Sequence, residues 1–208
     1  DTLFMAAVEE MAQAMERFRP IAGSDEEMLF QYAMLSRQIL SAVIDGDRRD
    51  TAEFCLGIST PHHVKEESAL WQRCLRKVEN RLQSFTDQSE INRARRTISD
   101  RCKAEAQWGA GIYRLNIPTG GGKTLAALRY ALATAAEHEK QRIIFVIPLL
   151  SILDQNAKVI REYLDDDKLI LEHHSNVIQE KSGDKLDENE LLMETWAAPV
   201  VITTLVQL

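Results

Sequence analysis

LNIPTGGGKTLAAL, residues 115–128, decides how the rest of the chain is read. A short apolar run stops at Pro118, three consecutive glycines follow, and Lys123 and Thr124 lead into an alanine- and leucine-rich stretch. Glycines let backbone N–H groups turn toward an anion without interference from a Cβ. The helix that follows adds the positive end of its dipole. In that setting Lys123 reaches the outer phosphates of a nucleotide and the Thr124 hydroxyl ligates magnesium. Thr119, Gly120, Gly121, Gly122, Lys123 and Thr124 are therefore the candidate phosphate-binding residues, with Lys123 and Thr124 the candidate catalytic pair. The strict pattern for such a loop asks for glycine at position 117, where this chain has isoleucine.

C-terminal to the loop, short apolar stretches alternate with helical ones. KTLAALRYALATAAEH (123–138) and SILDQNAKVIREYL (151–164) read as helices. GIYRLNIP (111–118), RIIFVIP (142–148), KLILEH (168–173) and PVVITT (199–204) read as strands. Continuous apolar strands separated by helices imply a parallel sheet covered on both faces. Residues 1 to about 107 read instead as helix after helix. Met28, Tyr32, Leu35, Ile39 and Val43 make one apolar stripe, with Ser24 and Glu27 a capping box at its start. Leu70, Cys74, Val78 and Leu82 make a second stripe; Ile91, Ile98 and Cys102 make a third. Gly57 and Pro61 mark a loop between the first two. The fold class expected is α/β: an all-helical N-terminal half, then a parallel sheet flanked by helices.

Bulk composition narrows the function classes. The net charge of the 208 residues is −7, which disfavours a surface attractive to nucleic acid throughout. A cluster of Arg93, Arg95, Arg96 and Arg101 leaves room for a local basic groove. No apolar run approaches the roughly 18–20 residues of a membrane span, so no membrane is expected as a partner. The N-terminus lacks the form of a signal peptide and an initiating methionine, so an excised piece of a longer protein is expected. Cys55, Cys74 and Cys102 are odd in number and far apart, which argues for small buried thiols in a reducing, cytoplasmic setting. His173 and His174 are adjacent on an expected strand and so face opposite ways, a poor arrangement for chelating one ion. His62 and His63 form a second adjacent pair and are read the same way.

PTGGGKT (118–124) resembles the first motif of superfamily 2 helicases, which often place a small residue where the strict loop has its first glycine. That resemblance implies ATP and Mg2+ as cofactors. The strand end and helix around Pro148 and Gln155 are similar to the next helicase motif, and Thr203 and Thr204 to a later one. In both motifs, loop amides and hydroxyls hold a nucleic-acid backbone, contacts that position a strand without reading its sequence.

The combination resembles the CRISPR-associated helicase–nuclease of type I systems, in which an HD-type nuclease precedes a superfamily 2 helicase. Residues 108–208 look like part of its first RecA-like lobe, residues 57–107 a helical connector, and residues 1–56 the C-terminal part of the HD domain. LSAVIDGDRRDTAEF (40–54) carries the part of the pattern in which Asp47 matches a metal-ligating aspartate. The resemblance implies translocation on single-stranded DNA, a divalent transition metal in the nuclease, and a CRISPR RNA-guided effector complex as partner. Two departures stand out. No histidine here is followed by aspartate, and a single carboxylate does not hold a catalytic ion alone. Asp187-Glu188-Asn189-Glu190 follows no buried strand and lacks the histidine of the helicase acidic motif, so it is rejected as that motif. The piece is therefore expected to be inactive alone. Alternatives are another superfamily 2 motor such as a restriction-enzyme translocase, a compact P-loop nucleotide-binding module, or a non-enzymatic docking module.

Overall fold

The longest helix begins where the capping box was expected. In the computed structural model, which describes residues 2–17, 23–56, 67–85, 89–174, 196 and 198–207, Ser24 Oγ accepts from the Glu27 amide at 3.2 Å. The Glu27 carboxylate accepts from the Gly23 amide at 2.7 Å, one residue earlier than the usual reciprocal arm. Helix α2 (Asp25–Leu56) runs unbroken from there through Gly46 and Asp47, and α1 (Thr2–Arg17) precedes it. Together they make up the described part of a first compact unit, Asp1–Ile58. Its apolar stripe is largely uncovered: Met28, Tyr32, Ile39 and Val43 are all exposed, and Val43 is 63% accessible. None of the described helices is long and apolar enough to cross a membrane.

The second unit, Ser59–Leu208, contains the sheet and the helices on either side of it in sequence. Helices α3 (Glu67–Gln83) and α4 (Glu90–Ala104) precede α5 (Lys123–Glu137); strand β1 (Ile143–Val146), helix α6 (Leu150–Leu164), β2 (Ile170–His173) and β3 (Val200–Thr203) follow. The expected second stripe lies on α3, where Trp71, Cys74 and Val78 are buried against Leu128, Leu132 and Ala135 of α5. Alanines at 126 and 135, both 1% accessible, let neighbouring helices approach α5 closely. The third stripe on α4 is shorter than expected, since Ile91 is exposed and only Ile98 and Cys102 pack inward.

Arg129 ties the helices together. It is 6% accessible and grips Glu79 of α3 with a two-pronged fork, Nε and Nη2 donating at 2.6 and 2.7 Å. Its third nitrogen, Nη1, donates to Asp100 of α4 at 2.5 Å and to Ser99 at 3.3 Å. On the other side of α3, Lys77 donates to the Leu164 carbonyl at 2.8 Å, placing a cation at the negative C-terminal end of α6. Arg81 pairs with Glu162 one turn away.

All three strands are parallel, in the order β1-β3-β2. The last of the described strands is thus the middle of the sheet, and all four of its residues are 0% accessible. Two expectations need correction. Residues 111–118 join no ladder. A strand exists only by exchanging backbone hydrogen bonds, and β1, β3 and β2 pair with one another, leaving this run no partner among the described residues. Ile112 is fully exposed, and Tyr113 and Leu115 are nearly half so. Nor is the sheet covered on both faces throughout, because Ile144 and Val146 of β1 stand 44% and 40% open. The Gly57–Pro61 loop, His62, His63, Asp187–Glu190 and the Cys55 side chain lie outside the described residues.

Candidate functional site

The glycine loop has the backbone its sequence demands. Gly120 and Gly122 both have φ of +81°, a conformation that side-chain-bearing residues rarely adopt. Gly121 is required for a different reason. Its amide donates to the Pro118 carbonyl at 3.0 Å, and a Cβ there would stand 2.4 Å from Ile117 Cγ2 and 3.0 Å from the Pro118 oxygen. Ile117 itself is buried with Cys102 and Ala126. The residue that departs from the strict pattern is therefore an apolar plug beneath the loop.

Gly122 forms the N-cap of α5, and no side chain caps that end. Ala126 N–H closes the first turn on Gly122 O at 3.0 Å, leaving the amides of residues 123–125 as unfilled donors at the positive end of the helix. Thr119, Gly120 and Lys123 are exposed beside them. The arrangement is a cradle for an anion with several oxygens, and a side chain at 121 would fill it.

Two contacts hold this loop that the motif alone does not announce. Arg95 of α4 donates through Nε to the Gly120 carbonyl at 2.9 Å, with its aliphatic stem lying against Gly122. Thr124 Oγ1 donates to Asn156 Oδ1 of α6 at 2.5 Å, and the Asn156 amide nitrogen donates to the Ile152 carbonyl at 2.7 Å. With its proton directed at Asn156, the Thr124 hydroxyl keeps its lone pairs for a cation. The residues present thus fit a nucleotide phosphate with a magnesium ion.

Pro148 and Thr204 stand just beyond the C-terminal ends of β1 and β3. These strands are adjacent, with Val146 paired to Thr203 and the Ile147 amide donating to the Thr203 carbonyl at 2.8 Å. In a parallel sheet this edge is where ligands bind. Pro148 and Gln155 are exposed and Thr204 is half-buried. Thr203 differs: it is fully buried, and its hydroxyl donates to the His173 carbonyl at 2.8 Å, within the sheet. Through Asn156, helix α6 links this edge to the glycine loop, so Gln155 stands next to the residue that holds Thr124.

Asp47 lies in the first unit, exposed on α2, where its backbone carbonyl accepts from Thr51 Oγ1 at 2.9 Å. It belongs to no group of three possible metal ligands among the described residues. The buried thiols Cys74 and Cys102 are unbridged, and burial pushes both above the usual cysteine range, as expected of inert core residues. Arg95 entered the sequence reading only as one of four clustered arginines, and Asn156 was not singled out in it at all. Only a helical register connecting 95 to the loop, or 156 to Gln155, could have suggested them.

No curated protein matches the chain. The family profile of the type III restriction enzyme res subunit matches residues 72–208, from the first turns of α3 through β3, well over half of the chain. The chain therefore belongs to that family of superfamily 2, helicase-type, ATP-dependent motors, whose domains bind nucleic acid and use ATP and Mg2+.

Proposed function

We propose that the second unit is the nucleotide-binding part of a first RecA-like lobe in a motor that moves along single-stranded DNA. The observation that carries this reading is the Thr124–Asn156 bond, which joins the phosphate loop to the helix bearing Gln155. Residues 119–124 would hold the β- and γ-phosphates, with the free amides of 123–125 donating to their oxygens and Lys123 opposing their charge. Thr124 would ligate Mg2+, which when bound neutralises phosphate charge and fixes the phosphates' orientation. Pro148, Gln155 and Thr204 would line the DNA path. The Thr203 hydroxyl is bonded to the His173 carbonyl inside the sheet, so Thr204 would be the one to face the DNA.

The finer reading is that this lobe belongs to a CRISPR-associated helicase–nuclease. It is supported by the resemblance of residues 111–208 and of the segment around Asp47, and it assigns residues 1–56 to the end of the HD domain and 57–107 to a connector. The effector complex and the nuclease's transition metal follow from that resemblance. A restriction-type translocase is the second reading, and the description of the matching family is compatible with it.

Calorimetry tests the central claim: Mg-ATP binding is expected for the wild-type chain and none for Lys123→Ala, and equal binding by the two would overturn it. For the finer reading, Asp47→Ala in the full-length protein is expected to abolish metal-dependent DNA cleavage while ATP turnover persists. Unaltered cleavage would leave the translocase reading.

A further inference from the structure

We propose that Asp154, Glu172 and His174 form a binding site for a divalent transition cation of the Zn2+ class, separate from the nucleotide's magnesium. Glu172 and His174 are two residues apart at the end of β2, so in extended chain they project from the same side. Asp154 reaches them from α6. One ligand atom from each of the three lies within 4.8 Å of the others.

His174 supplies the independent sign of a ligand. It is 5% accessible, its Nδ1 has no hydrogen-bond partner among the described residues, and its Nε2 is directed at Glu172 Oε2 from 3.8 Å, beyond hydrogen-bond reach. A buried polar atom left without a partner is costly and uncommon. The neighbouring His173 faces elsewhere, its Nδ1 accepting from Trp196 Nε1 at 2.7 Å, so the usable pattern is Glu-x-His rather than His-His.

Glu172 is already oriented for the task. Arg161 holds its Oε1 through Nε and Nη2 at 2.8 and 2.7 Å and is itself anchored to Asp167 at 2.7 Å, leaving Oε2 toward the imidazole. Such outer contacts fix ligand direction around a metal. One imidazole nitrogen with two carboxylate oxygens suits Zn2+, Co2+ or Ni2+, whereas Ca2+ and Mg2+ select oxygen alone. At metal–ligand distances near 2.1 Å, tetrahedral ligand atoms lie roughly 3.4 Å apart. Asp154 is exposed on the first turns of α6 and closes that gap by side-chain rotation, leaving a fourth position open to water. The ion would pin α6 to β2 directly beside Gln155 and Asn156.

The test is titration of the untagged chain with Co2+ in the absence of nucleotide. One saturable equivalent with visible d–d absorption is expected, displaced by Zn2+. Affinity is expected to fall at least tenfold in Asp154→Asn, whose exposed position keeps the fold intact by circular dichroism, and further in Glu172→Gln. Absence of saturable binding, an unchanged affinity in Asp154→Asn, or a sulfur-to-cobalt charge-transfer band from the cysteines would each overturn the assignment.

Discussion

Replacing Arg129 with methionine should show how much of the second unit's stability rests on one side chain. Its guanidinium is almost fully enclosed, while its partners are not equally so: the Glu79 side chain is 23% accessible and that of Asp100 57%. Breaking one side of a fully buried ion pair costs about 3–5 kcal/mol. Asp100 can rehydrate, which limits its share to that of a surface pair, under about 1 kcal/mol. Glu79 keeps Lys103 at 3.3 Å after the change, which lowers its penalty as well. The expected loss is therefore about 3 kcal/mol, with about 2 kcal/mol of it coupled to Glu79. All three tryptophans, at 71, 108 and 196, lie in the second unit, so fluorescence in urea reports on that unit alone. Trp71 is fully buried and donates to the Lys140 carbonyl, so its emission should shift on unfolding. A double-mutant cycle of Arg129→Met with Glu79→Gln reads the coupling. Additivity to within about 0.5 kcal/mol would refute the three-helix clasp.

The same pair gives a pH dependence. Burial alone would raise the Glu79 carboxyl, but the hydrogen bonds and charge of Arg129 outweigh it and hold the group below its ordinary 4.5. A depressed carboxylate contributes stability that is present above about pH 4.5 and is lost as pH falls through the folded value. Acid should therefore narrow the difference in urea midpoint between wild type and Glu79→Gln; a difference constant from pH 6 to 3 would contradict this. Gly121→Ala should abolish Mg-ATP binding through the clash with Ile117, with calorimetry as the readout and retained wild-type affinity as the contrary result. Asn156→Ala removes one hydrogen bond from Thr124, about 0.5–1.5 kcal/mol, and should weaken Mg-ATP about two- to twelvefold while leaving Mg-free nucleotide binding nearly unchanged. Equal losses with and without magnesium would show that Asn156 only supports the fold.

The loop and three of the four expected strands were legible because their signals are local. Glycines at 120–122 are readable from φ requirements alone, and the apolar runs at 143–146, 170–173 and 200–203 need no partner to be recognised. Residues 111–118 carry the same apolar signal and form no strand, since pairing depends on what lies alongside and alternation in sequence is silent about it. The loop contact of Arg95, read only as part of a basic cluster, and the roles of Asn156 and Arg129 were illegible for a related reason. Each of the three is an ordinary polar residue on a helix until the fold brings another segment against it: Gly120, Thr124 or Glu79. Adjacent histidines at 173 and 174 drew notice, yet the juxtaposed group uses only one of them, with Glu172 two residues back and Asp154 from another helix.

The strand order carries a consequence for how the chain acquires its structure. Among the described residues β1 and β2 pair with β3 and not with each other, so Ile143 and Ile170 both wait for Val200 before either has a ladder partner. During synthesis the first two strands emerge as separate apolar segments with unpaired edges, each a template for another chain. The sheet then forms by insertion of its centre, a step dominated by contacts distant in sequence and correspondingly slow. Helices α3 and α5 both precede β3 in the chain, so their packing can give the waiting strands a surface to rest on. Loss of the few residues of β3 would undo the described sheet at once, since β1 and β2 are not neighbours in it.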